Sequence, residues 1–121
     1  MYSKQVLDHF EHPRNAGVVE KPDAQALIEN PACGDTLKLT IRMAGLRIEE
    51  IRFQARGCVA SIACASAMTE FVSGRSIEEA GRLRREEILQ ALGGLPQASM
   101  HASHLALDAL GAVLEKIDSG R

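Results

Sequence analysis

The chain has 121 residues, of which 45% are hydrophobic and 25% charged, with a net charge of −2 at neutral pH. That length suits one compact domain with one core, spanning residues 1–121, and no apolar run approaches the roughly 18 residues that a membrane-spanning helix needs. A near-balanced charge and four aromatic residues (Tyr2, Phe10, Phe53 and Phe71) leave neither the basic patch nor the stacking surface expected of a nucleic-acid binder.

Taken in chain order, Val6, Leu7 and Phe10 recur at helical spacing between Tyr2 and Glu11, and His12-Pro13 closes that segment. Residues 13–31 form a connection punctuated by glycine and proline, with a short strand at Ala26-Leu27-Ile28. The period then changes to two. Leu37, Leu39 and Ile41 alternate with Thr36, Lys38, Thr40 and Arg42, the pattern of a half-buried strand. Ala44-Gly45 supplies a turn, and Ile48, Ile51 and Phe53 continue on a second strand, so 36–55 is expected to be an antiparallel hairpin.

After Gly57-Cys58 the chain turns helical and rich in small residues, from Ser61 to Met68, and Gly74 is expected to end that helix. Ser76 with Glu79 three residues later has the spacing of a capping box and starts a short helix. A further helix covers Arg84 to Leu92, Gly93-Gly94-Leu95-Pro96 interrupts, and a long amphipathic helix runs from His101 to Ile117. Asp118 to Arg121 are expected to fray. The order helix, sheet, helices implies an α+β fold, a small antiparallel sheet with helices packed on one face.

Three cysteines, Cys33, Cys58 and Cys64, are present. The first residues carry no apolar stretch, so an export signal is not expected and a cytoplasmic location is. In that compartment an odd number of thiols speaks for metal or thiol chemistry over a disulfide framework. Plain burial as small hydrophobes is the competing reading.

Position distinguishes the three. Cys33 lies in Pro31-Ala32-Cys33-Gly34-Asp35, entering the first hairpin strand, and Cys58 follows Gly57 at the end of the second. A hairpin brings those two places to the same end of the sheet. The glycine beside each cysteine lets the backbone approach a bound ion or cluster. His101 opens the last helix. No Cys-x-x-Cys pair or His-Glu-x-x-His sequence is present, so spacing alone leaves the metal and packing readings both open.

The stretch Asp8-His9-Phe10-Glu11-His12-Pro13-Arg14-Asn15-Ala16-Gly17 resembles the N-terminal signature of the IscU-like scaffold family, also found as the N-terminal domain of NifU. Ala32-Cys33-Gly34-Asp35 matches that family's first ligand segment. Phe53 to Ala63, with Gly57-Cys58, resembles the second, and Thr69-Glu70 and Gly74 continue it. Leu95-Pro96 through His101, Ser103, Leu105-Ala106 and Asp108-Ala109 resemble the third. The resemblance covers nearly the whole chain and implies a sheet with helices on one side.

It also implies a non-enzymatic iron–sulfur cluster assembly scaffold. Such a protein accepts sulfur from a cysteine desulfurase, accepts iron, holds a labile [2Fe–2S] cluster and passes it to apo acceptor proteins. By the same resemblance Cys33 and Cys58 are cluster ligands and sulfur acceptors, Asp35 is the neighbouring carboxylate and His101 an imidazole at the site. Oxygen and nitrogen ligands beside thiolate make a cluster more exchangeable than four thiolates do.

Two departures stand out. Where the family has cysteine directly after the histidine, this chain has Ala102, which removes a third thiolate. The segment that a dedicated chaperone recognises reads Leu95-Pro96-Gln97-Ala98-Ser99, which places that chaperone in doubt as a partner. Zinc in the same four residues, in a sulfur-relay protein like the SufU branch, is the second reading. That branch carries an insertion before its third segment, and no room for one exists between Cys58 and His101. A thiol enzyme with one cysteine activated by His101 is a third. Two residues compete for the vacancy left by Ala102. Cys64, six residues beyond Cys58, falls about 240° round a helix axis and points to packing. His104 shares the face of His101.

Overall fold

The computed structural model describes residues 1–31 and 34–119, with only the backbone of Ser119. Ala32, Cys33, Gly120 and Arg121 lie outside the described residues. The elements run α1 (Lys4–Glu11), β1 (Ala24–Glu29), β2 (Thr36–Ala44), β3 (Arg47–Arg56), α2 (Val59–Val72), α3 (Ile77–Gly81), α4 (Arg85–Ala91), a single 3₁₀ turn (Gln97–Ser99) and α5 (His101–Ser119).

The three strands form one antiparallel sheet in the order β1-β2-β3. Alternation decides which face is covered. Leu37, Leu39 and Ile41 of β2 point under the helices and are fully buried. On β3, Ile48 and Ile51 are both buried although their spacing breaks the alternation. The register explains it: Arg42 pairs with Glu50 but Met43 with Ile48, so Glu49 is an extra residue that returns Ile48 to the covered face.

The outer edge of β3 is not left open. Asn15 O accepts from Phe53 N and Gly17 N donates to Phe53 O, while the 74–77 stretch bonds to Leu46 and Ile48 farther along. Two short segments therefore occupy the edge that would otherwise template aggregation. On the opposite face Thr40 is buried because its Oγ1 accepts from Val19 N at 2.8 Å.

Helix α2 packs on β3 and α5 on β1 and β2, with α1 against α2. Hence α2 is enclosed on several sides, and ten of its residues, from Ala60 to Val72, are buried. Alanine and serine at most of those positions let its neighbours approach closely. Capping fixes the shorter helices. Ser3 Oγ accepts from Val6 N at 3.0 Å to start α1, and the capping box of Ser76 and Glu79 starts α3.

Two features past α2 differ from the sequence reading. Helix α2 itself agrees with it, ending at Val72 with Ser73 as its cap and Gly74 directly after at φ +81°. The 3₁₀ turn before α5 has no hydrophobic period to announce it. Asp118 and Ser119 continue α5 instead of fraying.

Candidate functional site

The pairing Thr36↔Arg56 places the residue before β2 next to the residues after β3. Asp35 and Gly57-Cys58 consequently meet at one end of the sheet. The loop entering β2 is closed by Asn30 N to Asp35 O and Gly34 N to Asn30 O, each 2.8 Å.

Gly57 adopts φ +154°, and a Cβ there would lie 2.7 Å from each carboxylate oxygen of Asp35. No side chain fits that space. The glycine adjacent to Cys58 is thus required by the carboxylate lying against it, a more specific reason than general backbone freedom.

Cys58 is the N-cap residue of α2 but makes no side-chain capping bond, so its sulfur is not used to finish the helix. His101 opens α5. One ligand atom from each of Asp35, Cys58 and His101 lies within 4.8 Å of the others, and this is the group of potential metal ligands found among the described residues. Asp35 is buried. Its Oδ2 lies 3.6 Å from His101 Nε2, too long for a hydrogen bond.

His101 Nε2 is itself buried and has no hydrogen-bond partner, alone in this among the buried side-chain nitrogens and oxygens of the described residues. An orphaned buried nitrogen beside a carboxylate and a thiol costs stability unless something satisfies it. A metal ion is one group that would do so, and nitrogen, oxygen and sulfur donors suit iron or zinc.

The sequence-derived candidates divide as follows. Asp35, Cys58 and His101 converge. Cys33 lies outside the described residues, between Pro31 and Gly34 in sequence. Cys64 has no exposed surface; burial first, and the proximity of Cys58 second, push its thiol up to about 12. His104 is exposed and its Nε2 is engaged by Arg85 at 2.9 Å. Neither Cys64 nor His104 joins the group. Ala102 is buried, beside His101.

One residue of the site escaped the sequence reading. Ser61 Oγ donates to Asp35 Oδ2 at 2.7 Å and lies 3.4 Å from Cys58 Sγ. The usable signal was its place three residues after Cys58 at a helix start. A serine within a run of small residues is otherwise unremarkable.

The family described as the NifU-like N-terminal domain matches residues 1–119. An iron–sulfur cluster assembly scaffold protein, IscU 1 of Archaeoglobus fulgidus, is 48% identical over 110 residues, covering 91% of this chain and 72% of that protein. The IscU scaffold of Haemophilus influenzae is 41% identical over 118 residues, covering 93% of this chain and 92% of its own. Among solved structures, the N-terminal part of a nitrogen-fixing NifU-like protein from Brucella abortus superimposes with a TM-score of 0.77 at 19% identity, covering 98% of this chain and 95% of that one. At that identity the likeness is one of fold.

Proposed function

The chain belongs to the NifU-like N-terminal domain family, and from that premise we infer that it is a scaffold on which iron–sulfur clusters are assembled and from which they are handed on. The observation that carries the reading within this chain is the convergence of Asp35, Cys58 and His101 around a buried imidazole nitrogen that lacks a partner. The similarity to IscU scaffolds over nine-tenths of the chain favours this reading over a zinc-dependent sulfur relay.

A scaffold must exchange with proteins that donate and accept the cluster's components. We assign the sulfur donor as a cysteine desulfurase and the recipients as apo iron–sulfur proteins, with the work done in the cytoplasm. The cluster, as [2Fe–2S], is the cargo. Cys33 and Cys58 supply thiolates, which hold iron strongly. Asp35 supplies a harder oxygen ligand that exchanges readily, and His101 a neutral nitrogen of intermediate character. With alanine at residue 102, this set holds two thiolates where an all-cysteine site holds four, and weaker retention is what delivery requires. The protein's own work is to bind, orient and release; no bond of a small-molecule substrate is broken by a residue of this site.

Anaerobic reconstitution with ferric iron and sulfide tests the reading. The unsubstituted chain should turn brown with near-equal iron and sulfide and should pass the cluster to an apo ferredoxin-type acceptor. Cys33→Ser and Cys58→Ser should each lose binding, and Cys64→Ser should keep it. A colourless protein that retains zinc under these conditions, or loss of the cluster in Cys64→Ser, would overturn the assignment.

A further inference from the structure

We propose that Ser61 positions Asp35 for metal binding, an inference that rests on the ligand set proposed above. Ser61 stands in the first turn of α2 and is almost wholly buried. A serine at such a place ordinarily turns its hydroxyl back onto its own helix. Here the hydroxyl leaves the helix and bonds across to another element, donating to Asp35 Oδ2 at 2.7 Å, with Cys58 Sγ 3.4 Å away.

A hydroxyl has one proton and two lone pairs. Its proton is committed to the carboxylate, so the remaining lone pairs face the thiol. Two of the three converging ligand residues therefore rest on one buried oxygen. The third, His101, looks at the same carboxylate oxygen from 3.6 Å.

Asp35 can lie here only because residue 57 is glycine, since its two carboxylate oxygens occupy the space that a Cβ there would need. Within that space the serine hydroxyl supplies a directional hold on the carboxylate. A carboxylate has about four lone-pair positions. The bond from Ser61 engages one of them and so sets the direction in which the group presents itself to a metal. Groups that hold a ligating side chain in this way commonly account for about 10–100-fold in metal affinity.

Cobalt(II) is a suitable probe, because its thiolate charge-transfer band reports the cysteine ligand and competition with a chelator gives the affinity. Ser61→Ala should weaken cobalt binding by about tenfold or more, while Ser61→Thr, which keeps the hydroxyl, should stay close to the unsubstituted chain. In an Asp35→Ala background Ser61→Ala should add no further loss. Thr and Val have nearly the same shape, so Ser61→Val against Ser61→Thr separates the hydroxyl from packing should Ser61→Ala fold poorly.

Equal affinity in the Thr and Val variants, or a Ser61→Ala loss that persists undiminished without Asp35, would sink the inference. An Asp35→Ala variant that binds cobalt as well as the unsubstituted chain would remove Asp35 from the ligand set and take this inference with it. Weakened binding in Asp35→Ala with unchanged binding in Ser61→Ala would overturn the role of Ser61 alone.

Discussion

At the scale of single residues, cysteine, so often read as a ligand on sight, is sorted here by burial. A thiol pushed up to about 12 stays protonated at neutral pH and neither ligates nor attacks. Cys58, at the start of α2, is partly exposed and reachable by a reagent. Iodoacetamide at mildly alkaline pH should therefore modify Cys58 in the folded chain and reach Cys64 only after denaturation, as peptide mapping will report. Labelling of Cys64 at the rate of Cys58 in native protein would contradict its place in the core. Ala102 offers the complementary test. It is buried beside His101, so Ala102→Cys adds a sulfur atom to a packed position, and overpacking of this kind costs about 1–3 kcal/mol. If the proposed site lacks one thiolate there, the same change should lengthen cluster lifetime under a chelator while lowering the melting temperature of the metal-free protein. It should also yield a persulfide at residue 102 when a desulfurase supplies sulfur. A loss of stability with no gain in lifetime would show that the new thiol faces the core.

Among elements, the contact of α1 with α2 shows what a sequence can and cannot convey. Asp8 to Gly17 stand out in the sequence by resemblance, whereas their physical reason is a polar clamp visible only in three dimensions. Ser66 Oγ accepts from Arg14 N at 2.8 Å, and we assign its own proton to His9 Nδ1, 2.7 Å away. That assignment makes His9 the neutral tautomer protonated at Nε2, which lies 4.0 Å from Glu70. Burial first, then Arg14, lower the pKa of His9 below its ordinary 6.5, with Glu70 and Asp8 opposing. The native state thus binds fewer protons than the unfolded chain once the pH drops below about 6.5, and stability falls from there toward the depressed native value. The lowered carboxylates Asp8, Glu50 and Glu79 act in a separate, more acidic range. Urea unfolding at pH values between about 7 and 5 should show declining stability in the parent chain and a flatter profile in His9→Gln. Identical slopes in the two would remove His9 as the cause. Helical periods, the capping box at Ser76 and the hairpin were all legible, because each is written in local spacing. The extra residue at Glu49, the segments along the β3 edge and the 3₁₀ turn at Gln97–Ser99 were not, because partners distant in sequence specify them.

For the whole molecule, the sheet with helices on one side followed from the order of periods, and the meeting of Asp35 with Cys58 followed from hairpin geometry. The arrival of His101 at the same place did not; it depends on how α5 lies across β1 and β2, which the sequence conveys only through family resemblance. This arrangement has a thermodynamic consequence. The converging residues come from the loop before β2, the start of α2 and the start of α5, so one bound ion ties the sheet to both of its principal helices. Unfolding separates these residues and abolishes the site, and an ion that binds the folded chain alone stabilises it by RT ln(1 + [L]/Kd), about 2.7 kcal/mol at a hundredfold excess over Kd. In a domain of this size each kcal/mol moves the midpoint by roughly 3–5 °C. Saturating zinc should accordingly raise the melting temperature by roughly 10 °C, less whatever the unfolded thiols and imidazoles recover by binding the ion themselves. Cys58→Ser should lose most of that rise, and Cys64→Ser should retain it. Calorimetry of the three proteins with and without zinc decides the matter: an equal rise in all three would mean that the ion binds somewhere other than the junction of sheet and helices.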